Sequence, residues 1–98
     1  MWAQIVKSRM KPEADEVLSN MQEQMRGRMA QRSGLVNSFV MRNRNDPQEM
    51  YVLIVFESEE QARQGEKELE HDPFFQQVRS VTEGTPEYVD LDVLDRTP

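Results

Sequence analysis

The sequence predicts a single α+β domain in which four strands and two helical regions follow the order β-α-β-β-α-β. Three observations carry that prediction. The apolar spacing changes from β-type runs to a three-to-four-residue period after Pro12, and a helix-opening signature returns at Ser58. A polar link, Asn43-Arg44-Asn45-Asp46-Pro47-Gln48, separates two strand-like runs. The chain closes on Tyr88 to Leu94, where Val89, Leu91 and Val93 alternate with Asp90 and Asp92.

Trp2 to Met10 is the first strand, rich in β-formers at Ile5 and Val6 and stopped by Lys11-Pro12. The first helix starts at Pro12 and carries Ala14, Leu18, Met21, Met25 and Met29 on one stripe, with Val17 beside them. Proline suits a first helical turn, and Glu13, Asp15 and Glu16 lie where the helix dipole favours anions. Arg26, Arg28 and Arg32 complement the other end, and Gly34 supplies a left-handed stop. Leu35 to Arg44 and Met50 to Glu57 form a hairpin whose loop is several residues long. The second of these strands, Met50-Tyr51-Val52-Leu53-Ile54-Val55-Phe56, is apolar on both parities, as strands covered on both faces are.

Ser58-Glu59-Glu60-Gln61 is a capping box that opens a helix with Ala62, Gly65 and Leu69 inward. Asp72-Pro73 reads as a fresh cap and first turn, so a short helix follows with Phe74, Val78 and Val81 inward. Gly84-Thr85-Pro86 breaks the chain before the last strand, Tyr88 to Leu94. This order gives a ferredoxin-like antiparallel sheet with its helices on one side. Such a sheet leaves one face of its both-sides-apolar third strand bare. A second copy of the chain, sheet against sheet in an isologous homodimer, is the expected cover.

Ninety-eight residues suffice for one domain with a thin stability margin. With 31% charged and 37% hydrophobic residues, the composition is that of a soluble protein, and no run approaches the ~20 apolar residues of a membrane span. No secretory leader pattern is present at residues 1 to 11, so the cytoplasm is the expected location. The net charge of −6 opposes nucleic-acid binding. Without cysteine there is no disulfide or thiolate metal site, and one histidine cannot build a multi-histidine zinc site. The four glycines never cluster, so no phosphate loop or dinucleotide fingerprint exists. No cofactor and no metal are expected.

The candidates for chemistry are few. His71 is a candidate general base or axial haem ligand. Among Glu68, Glu70 and Asp72, at a helix end, a histidinium is equally favoured without any chemical role, and that reading is preferred. Asp90 and Asp92, about 7 Å apart on one face of a strand, read first as carboxylates that keep an edge strand solvated. Met21, Met25 and Met29 read as core filling, with a deformable pocket wall as the alternative. Tyr51 and Trp2 are the aromatics whose polar atoms need partners. The Tyr51-to-Ala62 stretch is also similar to the RNA-recognition domain. It lacks that domain's basic residue, glycine and second stacking aromatic, and the acidic charge excludes the reading.

A second resemblance covers nearly the whole chain. Ser33-Gly34-Leu35-Val36-Asn37-Ser38, Asn45-Asp46-Pro47-Gln48-Glu49, Val55-Phe56-Glu57-Ser58-Glu59-Glu60-Gln61-Ala62 and His71-Asp72-Pro73-Phe74-Phe75 resemble segments of the antibiotic-biosynthesis monooxygenase-like family. The departures are Phe56, where that family often has tryptophan, and Ser33, where it has proline. Haem-degrading relatives need an asparagine on the first strand and a tryptophan in the second helical region. This chain has Gln4 and Ile5 on the strand and no tryptophan in that helix, so haem degradation is not expected. The resemblance implies a dimeric α+β barrel and cofactor-free oxygenation of a small aromatic or quinone-type molecule. In that reading His71 is the base, and Asn37, Arg42, Tyr51 and Phe75 line a pocket between sheet and helices. The alternative is a non-catalytic ligand-binding or dimerisation module of the same fold.

Overall fold

The computed structural model describes residues 1 to 97, without the side chain of Met21, so the place of Met21 on the helical stripe lies outside the described residues. The elements are β1 (Trp2–Met10), α1 (Ala14–Ala30), β2 (Leu35–Asn43), β3 (Asp46–Phe56), α2 (Glu59–Leu69), α3 (Pro73–Ser80) and β4 (Thr82–Asp92). The strands form one sheet in the order β2-β3-β1-β4, with every neighbouring pair antiparallel. This is the ferredoxin-like α+β arrangement the sequence predicts.

The capping chemistry at α2 and α3 is as read from the sequence. Ser58 Oγ accepts from the Gln61 backbone N–H at 3.3 Å, and Asp72 Oδ1 accepts from the Phe74 backbone N–H at 2.9 Å. Three boundaries differ. Helix α1 begins at Ala14, because Glu13, at the cap position, makes no side-chain capping bond and Pro12 stands outside the first turn. The hairpin loop is far shorter than expected: Asn43 already pairs with Asp46, and Asp46, Pro47 and Gln48 belong to β3. Asn43 Oδ1 accepts from the Asn45 backbone N–H at 2.9 Å, so a side chain closes the turn. Gly84-Thr85-Pro86 lies within β4 and does not break it. Gly84 takes φ +72° where the register with β1 shifts between Lys7 and Arg9, a bulge that glycine accommodates. The missing Pro86 N–H is tolerated because β4 is an edge strand.

The register assigns side chains to faces, since paired residues of an antiparallel sheet share a face. Trp2, Gln4, Val6, Ser8 and Met10 of β1 lie on the same side as Phe56, Ile54, Val52 and Met50 of β3. That is the helix side. At one end Trp2 and Phe56 pack with Ala62 of α2, joined by Leu35 and Ile54. At the other end Met10 and Met50 pack with Ala14 of α1 and with Val81, joined by Val17 and Leu18. The opposite face carries Ile5, Leu53, Val55, Phe39, Met41, Tyr51, Val89 and Leu91. Nothing in the chain covers it, and Phe39 remains 50% exposed.

Candidate functional site

Between the two core clusters the helix side of the sheet is crossed by a row of four residues, Val40-Val52-Val6-Tyr88, one from each strand. Central rows under helices are normally the best buried, because both layers contribute atoms there. Here Val6 and Val52 are only partly buried, and Val40 and Tyr88 are 55% and 62% exposed. The helices hold the sheet at its two ends and leave its waist open as an apolar cleft.

The next row towards Trp2 is Ser38-Ile54-Gln4-Asp90. Gln4, 6% exposed, is the buried polar residue of the core among the described residues. Its Nε2 donates to Asp90 Oδ1 at 2.9 Å, and Arg63 Nη2 of α2 donates to Asp90 Oδ2 at 2.8 Å. Arg63 lies 5.1 Å from the Trp2 ring centroid and also pairs with Glu59 and Glu66. The hydrogen bond from the Gln4 amide, aided by the Arg63 charge, holds the Asp90 carboxyl below its ordinary range. A carboxylate so stabilised is a weak base. Asp90 is therefore tied by specific partners, which the solvated-edge reading does not anticipate.

The walls of the cleft are clamped by two arginines of the first helical region. Arg32 places its guanidinium 4.5 Å from the Phe56 centroid and donates to the Ala62 carbonyl at 3.2 Å. Burial pushes its pKa down from the ordinary arginine value. Arg28 Nε donates to Asp72 Oδ2 at 2.8 Å and the guanidinium lies 4.5 Å from the Phe74 centroid, tying α1 to the start of α3. The Arg28 bond, with that from the Phe74 N–H, holds the Asp72 carboxyl below its usual range.

The structure does not gather the residues singled out from the sequence. His71 is exposed in the turn between α2 and α3 and has no side-chain hydrogen bond among the described residues. Asn37 and Tyr51 lie on the open face, paired across the sheet with Val55 and with Met41 and Lys7. Tyr51 donates to Glu49, and that bond raises the phenol's pKa. Arg42 is on the helix side but exposed, donating to Asp15 of α1 at 2.7 Å. Phe75 is half-buried, edge-to-face with Phe74 at 5.1 Å. Sequence reasoning passed over Gln4, Arg63 and Tyr88. One signal for Gln4 was present: a polar residue sits on the Trp2 and Val6 parity of an otherwise apolar strand.

Two surface grooves complete the concave surface. One of 410 Å³ is lined by Gln24, Gly27, Arg28, Gln31 and Asp72. The other, 290 Å³, lies by Lys7, Arg9, Glu49, Glu83 and Glu87. Both are polar and open. No helix among the described residues is long and apolar enough to cross a membrane.

No protein-family model matches the chain, and no curated protein sequence matches it. Solved structures do. A protein provisionally named an antibiotic biosynthesis monooxygenase, from Nitrosomonas europaea, superposes with a TM-score of 0.84 at 13% identity, over 97% of this chain and 100% of that one. SnoaB, a cofactor-independent oxygenase from Streptomyces nogalater, gives 0.79 at 14% identity, over 99% of this chain and 97% of its own. A protein from Agrobacterium tumefaciens gives 0.75 at 20% identity, over 100% and 98%. The chain thus shares its fold, from end to end, with the antibiotic biosynthesis monooxygenase proteins.

Proposed function

We propose that the protein is a cofactor-independent monooxygenase-like domain that binds, and oxidises with dioxygen, a small aromatic molecule of the hydroquinone or anthrone class. The observation that carries this reading is the open waist of the sheet. A well-packed two-layer domain closes its centre, whereas here an apolar strip with one fixed polar row stays accessible between sheet and helices. A flat apolar ligand completes that packing. Such a substrate carries its own electrons: an anthrone gives four to dioxygen, one oxygen atom becoming the new carbonyl and the other leaving as water. The protein then contributes desolvation and orientation, which do not require a dense array of ionisable groups. The likeness to SnoaB, itself named a cofactor-independent oxygenase, supports the assignment.

The open face supports a second part of the same reading, that the working form is a homodimer. Phe39, Met41, Val89 and Leu91 are all exposed on it, and an apolar sheet face this extended marks an interaction site. A second copy offers the same face to cover it, giving a paired barrel.

Oxygen consumption measured with an electrode, using anthrone and 1,4-dihydroxynaphthalene in the presence of a chelator, tests the assignment. The expected result is uptake above the protein-free rate that saturates with substrate. Rates equal to the protein-free control with both compounds overturn it. A non-catalytic binding module is the second reading, and the solvent position of His71 together with the neutralised Asp90 favours it, since no free base faces the cleft among the described residues.

A further inference from the structure

We propose that Gln4 reads the ligand: its amide, held in one orientation by Asp90, presents Oε1 as a hydrogen-bond acceptor to a neutral aromatic molecule bearing an O–H donor. The inference rests on the aromatic-ligand reading above and adds how that ligand is recognised.

The orientation of the amide follows from chemistry. The Asp90 carboxylate, ion-paired with Arg63, can only accept, so the Gln4 atom 2.9 Å from it is the NH₂ nitrogen. The carbonyl oxygen is thereby turned away from Asp90 and cannot exchange places with the nitrogen without setting two acceptors against each other. Among the described residues no donor reaches Gln4 Oε1. The side-chain polar atom that is both sealed from solvent and unpartnered is Arg32 Nε, so Oε1 retains access from outside. A residue 6% exposed with a fixed, vacant acceptor in an apolar row is a feature that folding alone does not favour, since buried polar groups are normally paired.

The surroundings set the ligand class. Along β1 the neighbours of Gln4 on the same face are Trp2 and Val6, and across the sheet it is flanked by Ile54. These offer flat apolar contact. Charge is set against anions: the single Arg63 is shared by Glu59, Glu66 and Asp90, leaving the vicinity net negative. A carboxylate or phenolate is repelled, a neutral phenol or hydroquinone is not. In this arrangement Asp90 and Arg63 are positioning residues, because they act only through the amide.

Paired probes test this directly: 1-naphthol, which carries the donor, and 1-methoxynaphthalene, which does not, titrated into the ¹⁵N-labelled full chain and followed by NMR. The expected result is about five- to tenfold tighter binding of 1-naphthol, the worth of one neutral hydrogen bond. The Gln4 side-chain amide signals should move only with that probe. In Gln4→Leu the two affinities should converge while that of 1-methoxynaphthalene stays unchanged. Asp90→Asn, a change at an exposed position that leaves Gln4 in place, should narrow the preference, because a carboxamide can face either side of the Gln4 amide. Equal affinities in the parent chain, or an undiminished preference in both variants, overturn the role of Gln4 and leave the aromatic-ligand reading standing. Binding of neither probe overturns both.

Discussion

Replacing Gly65 with alanine tests how α1 and α2 are locked together at the closed end of the cleft. In an ordinary helix interior the change stabilises by about 1 kcal/mol, through backbone entropy and propensity. Here a Cβ at position 65 would lie 2.9 Å from Arg32 Nε and 3.0 Å from Nη2, so the guanidinium must move. Moving it breaks the 3.2 Å bond to the Ala62 carbonyl and the stacking on Phe56. A hydrogen bond from a charged donor contributes ~1.5–3 kcal/mol. Cation–π contact at a partly exposed site adds ~0.5–1 kcal/mol. The loss exceeds the gain, and Gly65→Ala should be destabilised by about 1–2 kcal/mol. Urea denaturation of the parent, Gly65→Ala, Arg32→Ala and the double variant, at one fixed protein concentration, measures the coupling. In the Arg32→Ala background the sign should reverse, with alanine at 65 stabilising by up to ~1 kcal/mol. A Gly65→Ala chain as stable as the parent would refute the claim that this glycine is kept to seat Arg32.

Three further outcomes are expected. Phe39→Asp, at the centre of the open face, should convert a species of twice 11.5 kDa into one of 11.5 kDa by sedimentation equilibrium; a parent chain that is already monomeric sinks the paired-barrel reading. His71→Ala should leave oxygen uptake within twofold and stability within ~0.5 kcal/mol, as for an unpartnered surface residue; a larger loss of turnover would return His71 to the site. Asp72→Asn should flatten the acid limb of the stability profile. The folded-state pKa of Asp72 lies below its unfolded value, so its contribution is complete above about pH 4 and is lost as pH falls through the folded value. Acid titrations of the two chains that run parallel below pH 4 would show that the Arg28 pair contributes nothing.

Much of the architecture was legible in the sequence because it is set locally. Ser58 and Asp72 cap the helices predicted from their own side chains, and Ala62, Gly65 and Phe74 are buried where the helical period places them. The hairpin was misjudged because the polarity of Asp46-Pro47-Gln48 reads as loop. In the fold those residues extend β3 beyond the ladder with β1, which ends at Glu49, and Gln48 donates to the Met10 carbonyl at 3.1 Å. The bulge at Gly84 was taken for a break because a glycine signals the left-handed conformation without saying whether a strand resumes on both sides.

The candidate site was far less legible, for one physical reason. Strand periodicity divides residues into two sets, but the set that faces the helices is decided by which helix packs where. Val89, Leu91 and Asp90 illustrate it: the apolar pair of β4 faces the open side, while the aspartate turns to the helix side and finds Gln4 and Arg63, 86 positions away in one case. The same ambiguity put Tyr51 and Asn37 on a pocket list with Arg42, although the sheet lies between them. By itself the sequence determined the elements, their order and the existence of a both-sides-apolar strand. Only the tertiary structure decided which face stays bare, where the helices stand off from the sheet, and that a buried amide is oriented by a carboxylate from the far end of the chain, because those depend on contacts between residues remote in sequence.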